Sequence, residues 1–132
     1  MRNIKKLVKY WTDTAKHDFK TMNGLFNIKK YSDSLFYGHM VLEKILKALI
    51  VQNKKRHPQP THNLLVLLKE AGIDLEKEEV EFLAEANKFN IKARYPDYKM
   101  SFYKIATLRY TKPRLEKIKL LYKKLCQKIK KD

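Results

Sequence analysis

The side chains of this chain that could do chemistry fall in three short clusters. Glu43, Lys44 and Lys47 form the first. On a helix, Glu43 and Lys47 stand at the spacing of an ion pair in its favourable orientation. Read functionally, the two lysines offer positive charge to a phosphate. Thr61, His62 and Asn63 form the second. Thr61 can cap a helix there, and an imidazole beside a helix N-terminus can also receive an anion. The third is Ala93-Arg94-Tyr95-Pro96-Asp97-Tyr98. Its proline restrains the backbone beside an arginine whose planar guanidinium grips phosphate or carboxylate through two parallel hydrogen bonds. The structural alternative for Arg94 is a salt bridge to Asp18 or Glu43 that locks helices together.

Other reaction signatures are absent from the sequence. Gly24, Gly38 and Gly72 stand alone, so there is no glycine-rich phosphate loop. One cysteine, Cys126, rules out an internal disulfide and a thiolate zinc site, and its place between Leu125 and Ile129 suits a small buried hydrophobe. His39 and Glu43 have metal-ligand spacing with no third ligand nearby, so no metal and no resident cofactor are expected.

The elements that position these clusters are helices. With three glycines and four prolines in 132 residues there is little punctuation, and 44% apolar residues are enough for one packed domain. Ile4, Leu7, Val8, Trp11, Ala15, Met22, Leu25 and Phe26 recur at helical intervals, with Asp18 on the same face where an apolar residue is expected. A second helix is expected from a cap at Ser32 or Asp33 to about Gln52, with the broadest apolar arc and hence a central position. Lys54, Lys55 and Arg56 complement its C-terminal dipole, and Pro58 and Pro60 break the chain after it. Thr61 is expected to cap a short helix that stops at Gly72, and Asp74 to cap a fourth helix with its buried side at Val80, Leu83, Ala84, Asn87 and Ile91, ended by Pro96. Residues 95–110 read as an aromatic-rich connection with one turn of helix over Ser101 to Leu108. The last helix is expected from about Thr111, with Pro113 in its first turn. The fold class is therefore all-α: an antiparallel up-and-down bundle of four long helices plus one or two short ones.

Net charge is +16. Basic side chains outnumber acidic ones 8 to 2 over residues 1–31 and 11 to 2 over residues 101–132, whereas residues 61–100 carry 6 against 8. Such a surplus attracts polyanions, either a nucleic acid or an acidic protein, or is a solvated lysine-rich surface with no ligand. The N-terminal stretch lacks the apolar run of a signal peptide and no segment has the length of a membrane span, so a cytoplasmic protein is expected.

Trp11, Ala15 and Asp18, the run Gly38-His39-Met40-Val41-Leu42-Glu43-Lys44-Ile45-Leu46-Lys47-Ala48-Leu49, His62 with Leu64 and Leu67, and Ala93-Arg94-Tyr95-Pro96-Asp97 together resemble the HEPN domain family, in its branch with an RYPD-like motif. The resemblance spans about residues 4–125 and makes the chain a single domain. It implies a helical bundle that pairs into a homodimer and handles a nucleotide or RNA, often beside a minimal nucleotidyltransferase and sometimes as a toxin–antitoxin pair. The family's ribonuclease branch carries Arg, four to six residues, then His near the start of the last helix. Here no histidine follows His62, and the literal match from Arg56 to His62 lies between the second and third helices. The resemblance therefore fits a non-catalytic binder, with Lys44, Lys47 and Arg94 on phosphate, Tyr95 stacking or donating its hydroxyl, and Glu43, His62 and Asp18 in support. The alternatives are a ribonuclease toxin whose base is His39 or His62, and a basic protein-interaction module.

Overall fold

The computed structural model describes residues 3–130, and their side chains apart from those of residues 92–94, 96 and 97. Six helices occur among the described residues: α1 (Ile4–Asn27), α2 (Tyr31–Lys54), α3 (Leu64–Ala71), α4 (Lys77–Arg94), α5 (Pro96–Ile105) and α6 (Leu108–Cys126). None is long and apolar enough to cross a membrane.

Contacts between helices give their directions. Trp11 meets Lys47, Asp18 meets Lys44 and Phe26 meets Tyr31, so α1 and α2 run antiparallel. Glu79 meets Lys124 and Glu85 meets Arg114, so α4 and α6 are antiparallel as well. Gly38 approaches Ile118 near one end of α2 and Gln52 holds Lys128 near the other, so α2 and α6 run parallel. The four long helices thus alternate in direction as the sequence leads one to expect, and α3 and α5 lie in the connections.

α2 is the axis of the bundle. Fifteen of its residues are buried, against three in α1, and it packs against every other helix. Leu35, Leu42, Ile45, Leu46, Leu49 and Ile50 are fully buried, and each contributes about 1.5–3 kcal/mol of transfer free energy. A helix this enclosed is held by its neighbours rather than by its ends: its N-cap is Lys30, with no side-chain cap.

Several local expectations are corrected. Ser32 and Asp33 lie inside α2 rather than capping it. Asn63, not Thr61, caps α3, its side chain accepting from the backbone N–H of Leu65 and Val66. Thr61 lies two residues before that cap, where its own N–H donates to the Gln59 carbonyl at 2.8 Å in a tight turn around Pro60 and its hydroxyl accepts from Asn63 N–H. Glu76, not Asp74, caps α4, in a reciprocal capping box with Glu79. Gly72 stops α3 at φ 70°, a left-handed value natural to glycine. Ala84 is exposed and Ile91 is 47% exposed rather than buried.

The largest difference lies at 95–110, where α5 occupies most of the expected connection. Pro96 ends α4 and also supplies the first residue of α5, a position at which its missing N–H costs nothing. Phe102 docks α5, lying between Phe89 at 6.1 Å and Tyr110 at 6.3 Å. α6 begins at Leu108 with Thr107 as its cap, so Pro113 falls in the helix interior. There the Arg114 guanidinium donates to the Tyr110 carbonyl at 2.8 Å, lies over the Tyr110 ring and donates to Glu85 at 2.7 Å. It ties α6 to α4 beside the proline. Cys126 is half-buried rather than enclosed; burial pushes its thiol up, which keeps it protonated and unreactive at neutral pH.

Gly38 lets α2 and α6 approach closely. A Cβ there would stand 2.4 Å from Ile118 Cδ1 and 3.4 Å from Met22 Sδ, and both neighbours are fully buried. Gly38→Ala should therefore destabilise the domain by about 1–3 kcal/mol, despite the better helix propensity of alanine. Thermal melting of the two proteins checks this; equal or higher Tm in the variant would show that the α2–α6 contact has slack.

Candidate functional site

The sequence pairs Glu43 with Lys47 by their spacing on one helix, but it does not say what Asp18, Lys44 and His62 meet. The fold decides. Asp18 is buried on α1 and forms an ion pair with Lys44 Nζ at 2.6 Å. His17 Nδ1 is 3.4 Å from its other oxygen. The polar residue on the apolar face of the first helix is thus the α1 half of an inter-helix ion pair.

Glu43 lies one helical row away and is 3% exposed. Its Oε2 accepts from Lys47 Nζ at 2.9 Å and its Oε1 from His62 Nδ1 at 3.0 Å. His39, one turn earlier, has its Nδ1 3.7 Å from the same Oε1. The His39 Nε2 is 2.8 Å from the main-chain oxygen of His62, and because a carbonyl only accepts, Nε2 carries the hydrogen. Lys47 is buried too, with its ammonium 5.2 Å from the centre of the Trp11 ring. It is therefore held by a carboxylate and an aromatic face together.

Charge balance follows from these pairings. Asp18 offsets Lys44 and Glu43 offsets Lys47, so neither lysine stands as an unneutralised cation. The arrangement leaves His62 turned outward, with its side chain 50% exposed. Its Nδ1–H donates to Glu43, so in the neutral ring Nε2 carries the lone pair. A carboxylate holding one imidazole nitrogen while the other can accept is the orientation used by histidine bases.

The segment that carries His62 is fixed from both sides. Asn87 on α4 accepts from Leu64 N–H at 2.8 Å and donates to Asn63 Oδ1 at 3.1 Å. Arg56, at the other end of the 55–63 loop, pairs with Glu70 of α3. The expected role of Arg94 falls on a side chain outside the described residues, as does its proposed bridge to Asp18 or Glu43. Position 94 follows Asn87 by two turns of α4, about 10 Å along the axis. Tyr95 is 55% exposed at the junction of α4 and α5. Trp11, His39 and Asn87 belong to this constellation; the sequence offers His39 as a base or metal ligand, but marks neither Trp11 nor Asn87 as a binding residue. The signals for two of them are a conspicuous aromatic on α1, at Trp11, and a polar residue on the most apolar helix, at His39. Among the described residues no group of three or more His, Cys, Asp or Glu gathers as a metal site.

A charge buried this fully is tolerated only while its partners remain. Glu43→Ala would leave the Lys47 ammonium buried against Trp11 and release His62, so a loss of about 3–5 kcal/mol is expected in denaturant titration. The double variant Glu43→Leu/Lys47→Met should recover most of it, because a matched apolar pair removes the uncompensated charge. No recovery in the double variant would show that His62 or His39, rather than Lys47, is the partner that matters.

Comparison with known proteins agrees with this architecture. The family model described as "HEPN domain" matches residues 8–131. The fold is similar to that of TT1696 from Thermus thermophilus, with a TM-score of 0.78 and 20% sequence identity over 92% of this chain and 98% of that one. No curated protein matches the sequence. With the family model spanning all four long helices and the polar cluster they enclose, the chain belongs to the HEPN domain family.

Proposed function

We propose that this HEPN domain binds a nucleotide, or the phosphate end of an RNA, beside the 55–63 loop, and that it does so without cleaving it. The observation that carries the reading is His62. Its ring is held by Glu43 and its main-chain oxygen by His39, while half of its side chain remains open to a ligand. Such a group is immobilised before binding, so little side-chain entropy is lost when a ligand arrives.

In this reading His62 meets the ligand, and Arg94 supplies the two-point phosphate contact that the family resemblance assigns to it. Tyr95, exposed at the next position, stacks on a base or donates its hydroxyl. Glu43, Lys47, Asp18 and Lys44 form the support, their charges offset by one another. Lys44 retains 20% exposure and can share its ammonium with a phosphate at the edge of the site. The domain acts as a homodimer with a separate minimal nucleotidyltransferase, in the setting that the family resemblance implies.

A second reading is favoured by the same histidine. With Nδ1–H on a carboxylate and Nε2 as acceptor, His62 has the geometry to take a proton from a ribose hydroxyl, as a ribonuclease requires.

A thermal-shift titration with ATP, with tripolyphosphate as the charge control, tests the first reading. ATP should raise the Tm of the wild type by more than tripolyphosphate does, a saturating ligand at about a hundred times its Kd stabilising by about 2.7 kcal/mol. In Arg94→Ala and His62→Ala that excess should vanish. Equal shifts with both anions in all three proteins would reduce the binding to charge and remove the nucleotide site. Incubation with single-stranded and structured RNA separates the two readings: the RNA should remain intact. Cleavage by the wild type that falls about 10²–10⁴-fold in His62→Ala would instead establish the ribonuclease.

A further inference from the structure

We infer that a second site, a lysine-lined groove at the end of the bundle where α1 begins and α2 stops, takes the phosphodiester backbone of single-stranded nucleic acid. The groove encloses about 450 Å³. Lys5, Lys6 and Lys9 from α1, Lys55 from the end of α2 and Lys130 from beyond α6 all line it. Asp13 is the acid among its described lining residues, and it is already paired with Lys9 at 2.5 Å.

Three separate segments of chain bring these cations together, so the groove is a product of the tertiary fold rather than one lysine-rich helix face. A buried polar side chain holds the segments in place. Gln52, 9% exposed, donates to the Lys128 carbonyl at 3.0 Å and accepts from the Lys130 N–H at 2.7 Å. That clamp fixes the backbone of Lys130 against the end of α2. Lys55 occupies the left-handed C-cap of α2 at φ 58°. Lys9 is offset by Asp13, while Lys6, Lys55 and Lys130 come from three segments to one concavity, where their charges repel one another and an anion threaded among them relieves that repulsion.

The lining also says which part of a nucleic acid is met. No aromatic residue is among the described lining residues, so there is no platform for stacking a base. Ammonium groups contact phosphate as point charges and carry no base code. The groove therefore holds backbone and is indifferent to sequence. It lies toward the C-terminal end of α2 from Lys47, where Gln52 follows by five residues, about 7.5 Å along the helix. Glu43, which holds the His62 ring, lies nine residues before Gln52, about 13.5 Å along α2, so the groove and the His62 cluster are separate places on the bundle. The inference deepens the nucleic-acid side of the proposed function, but its ligand contact and its test are separate from His62 and Arg94.

Fluorescence anisotropy with a labelled single-stranded RNA of roughly 12 nucleotides tests the groove. Lys6→Gln/Lys55→Gln/Lys130→Gln is compared with an equal loss of charge elsewhere, Lys104→Gln/Lys112→Gln/Lys119→Gln. The groove triple should bind about tenfold more weakly, with its salt slope reduced by about 2, and the control triple should stay close to wild type. Lys55→Gly, which suits the left-handed backbone, should weaken binding while holding or raising the Tm. The ATP response of the groove triple should match the wild type, so failure of the nucleotide site and failure of the groove are distinguishable. Equal losses in both triples, or an acidic peptide binding the groove while RNA does not, would overturn the proposal.

Discussion

A carboxylate inside the most enclosed helix is the constraint around which this bundle is arranged. Glu43 sits on α2, which is wrapped by all five other helices, and a lone charge in that position would cost several kcal/mol. Its neutralisation needs groups from its own helix and from another part of the chain. Lys47 comes from one turn along, His62 from the loop before α3, and the Trp11 ring of α1 covers the lysine. Each partner fixes one neighbouring segment against α2. The polar cluster therefore adds directional contacts between segments to the apolar packing around them, and α1 is held again by Asp18 on Lys44.

The same arrangement ties the structure to the proposed binding site. His62 can be both half-exposed and rigid because its loop is clamped three times: by Glu43 on the ring, by His39 on the main chain, and by Asn87 on the helix start that follows. A histidine in a loop between two prolines and a short helix would otherwise sample many orientations. The cost of burying Glu43 is thereby connected to the placement of an outward-facing side chain, and a residue that reads as a structural ion-pair partner also orients the site.

Much of this is legible in the sequence, for reasons that differ by element. α1, α2 and α6 carry apolar residues at helical intervals, and the broad arc of α2 announces its central place. Asp18 is conspicuous as an acid on an apolar face. Its partner is not, because the pairing of Asp18 with Lys44 depends on how α1 is rotated against α2, which spacing along one helix does not encode; the pair of Glu43 with Lys47, both on α2, is legible from their spacing alone. α5 is hidden because Phe102 buries itself while Tyr98, Met100, Tyr103 and Ile105 remain exposed, leaving no apolar stripe to read. Pro96 signals the end of one helix and equally the start of the next, and only tertiary packing distinguishes those meanings. The caps at Asn63 and Glu76 are masked because Thr61 and Asp74 offer the same chemistry two residues earlier.

The clamp made by Gln52 has a topological consequence. By holding Lys128 and Lys130 against the end of α2, it brings the far end of the chain to the place where α1 starts, and Ile4 and Ile129 line one concavity. The two ends of the domain are therefore neighbours in space. A chain closed on itself in this way can be spliced into a surface loop of a larger protein, or cut and rejoined in a new order, without separating any of its helices.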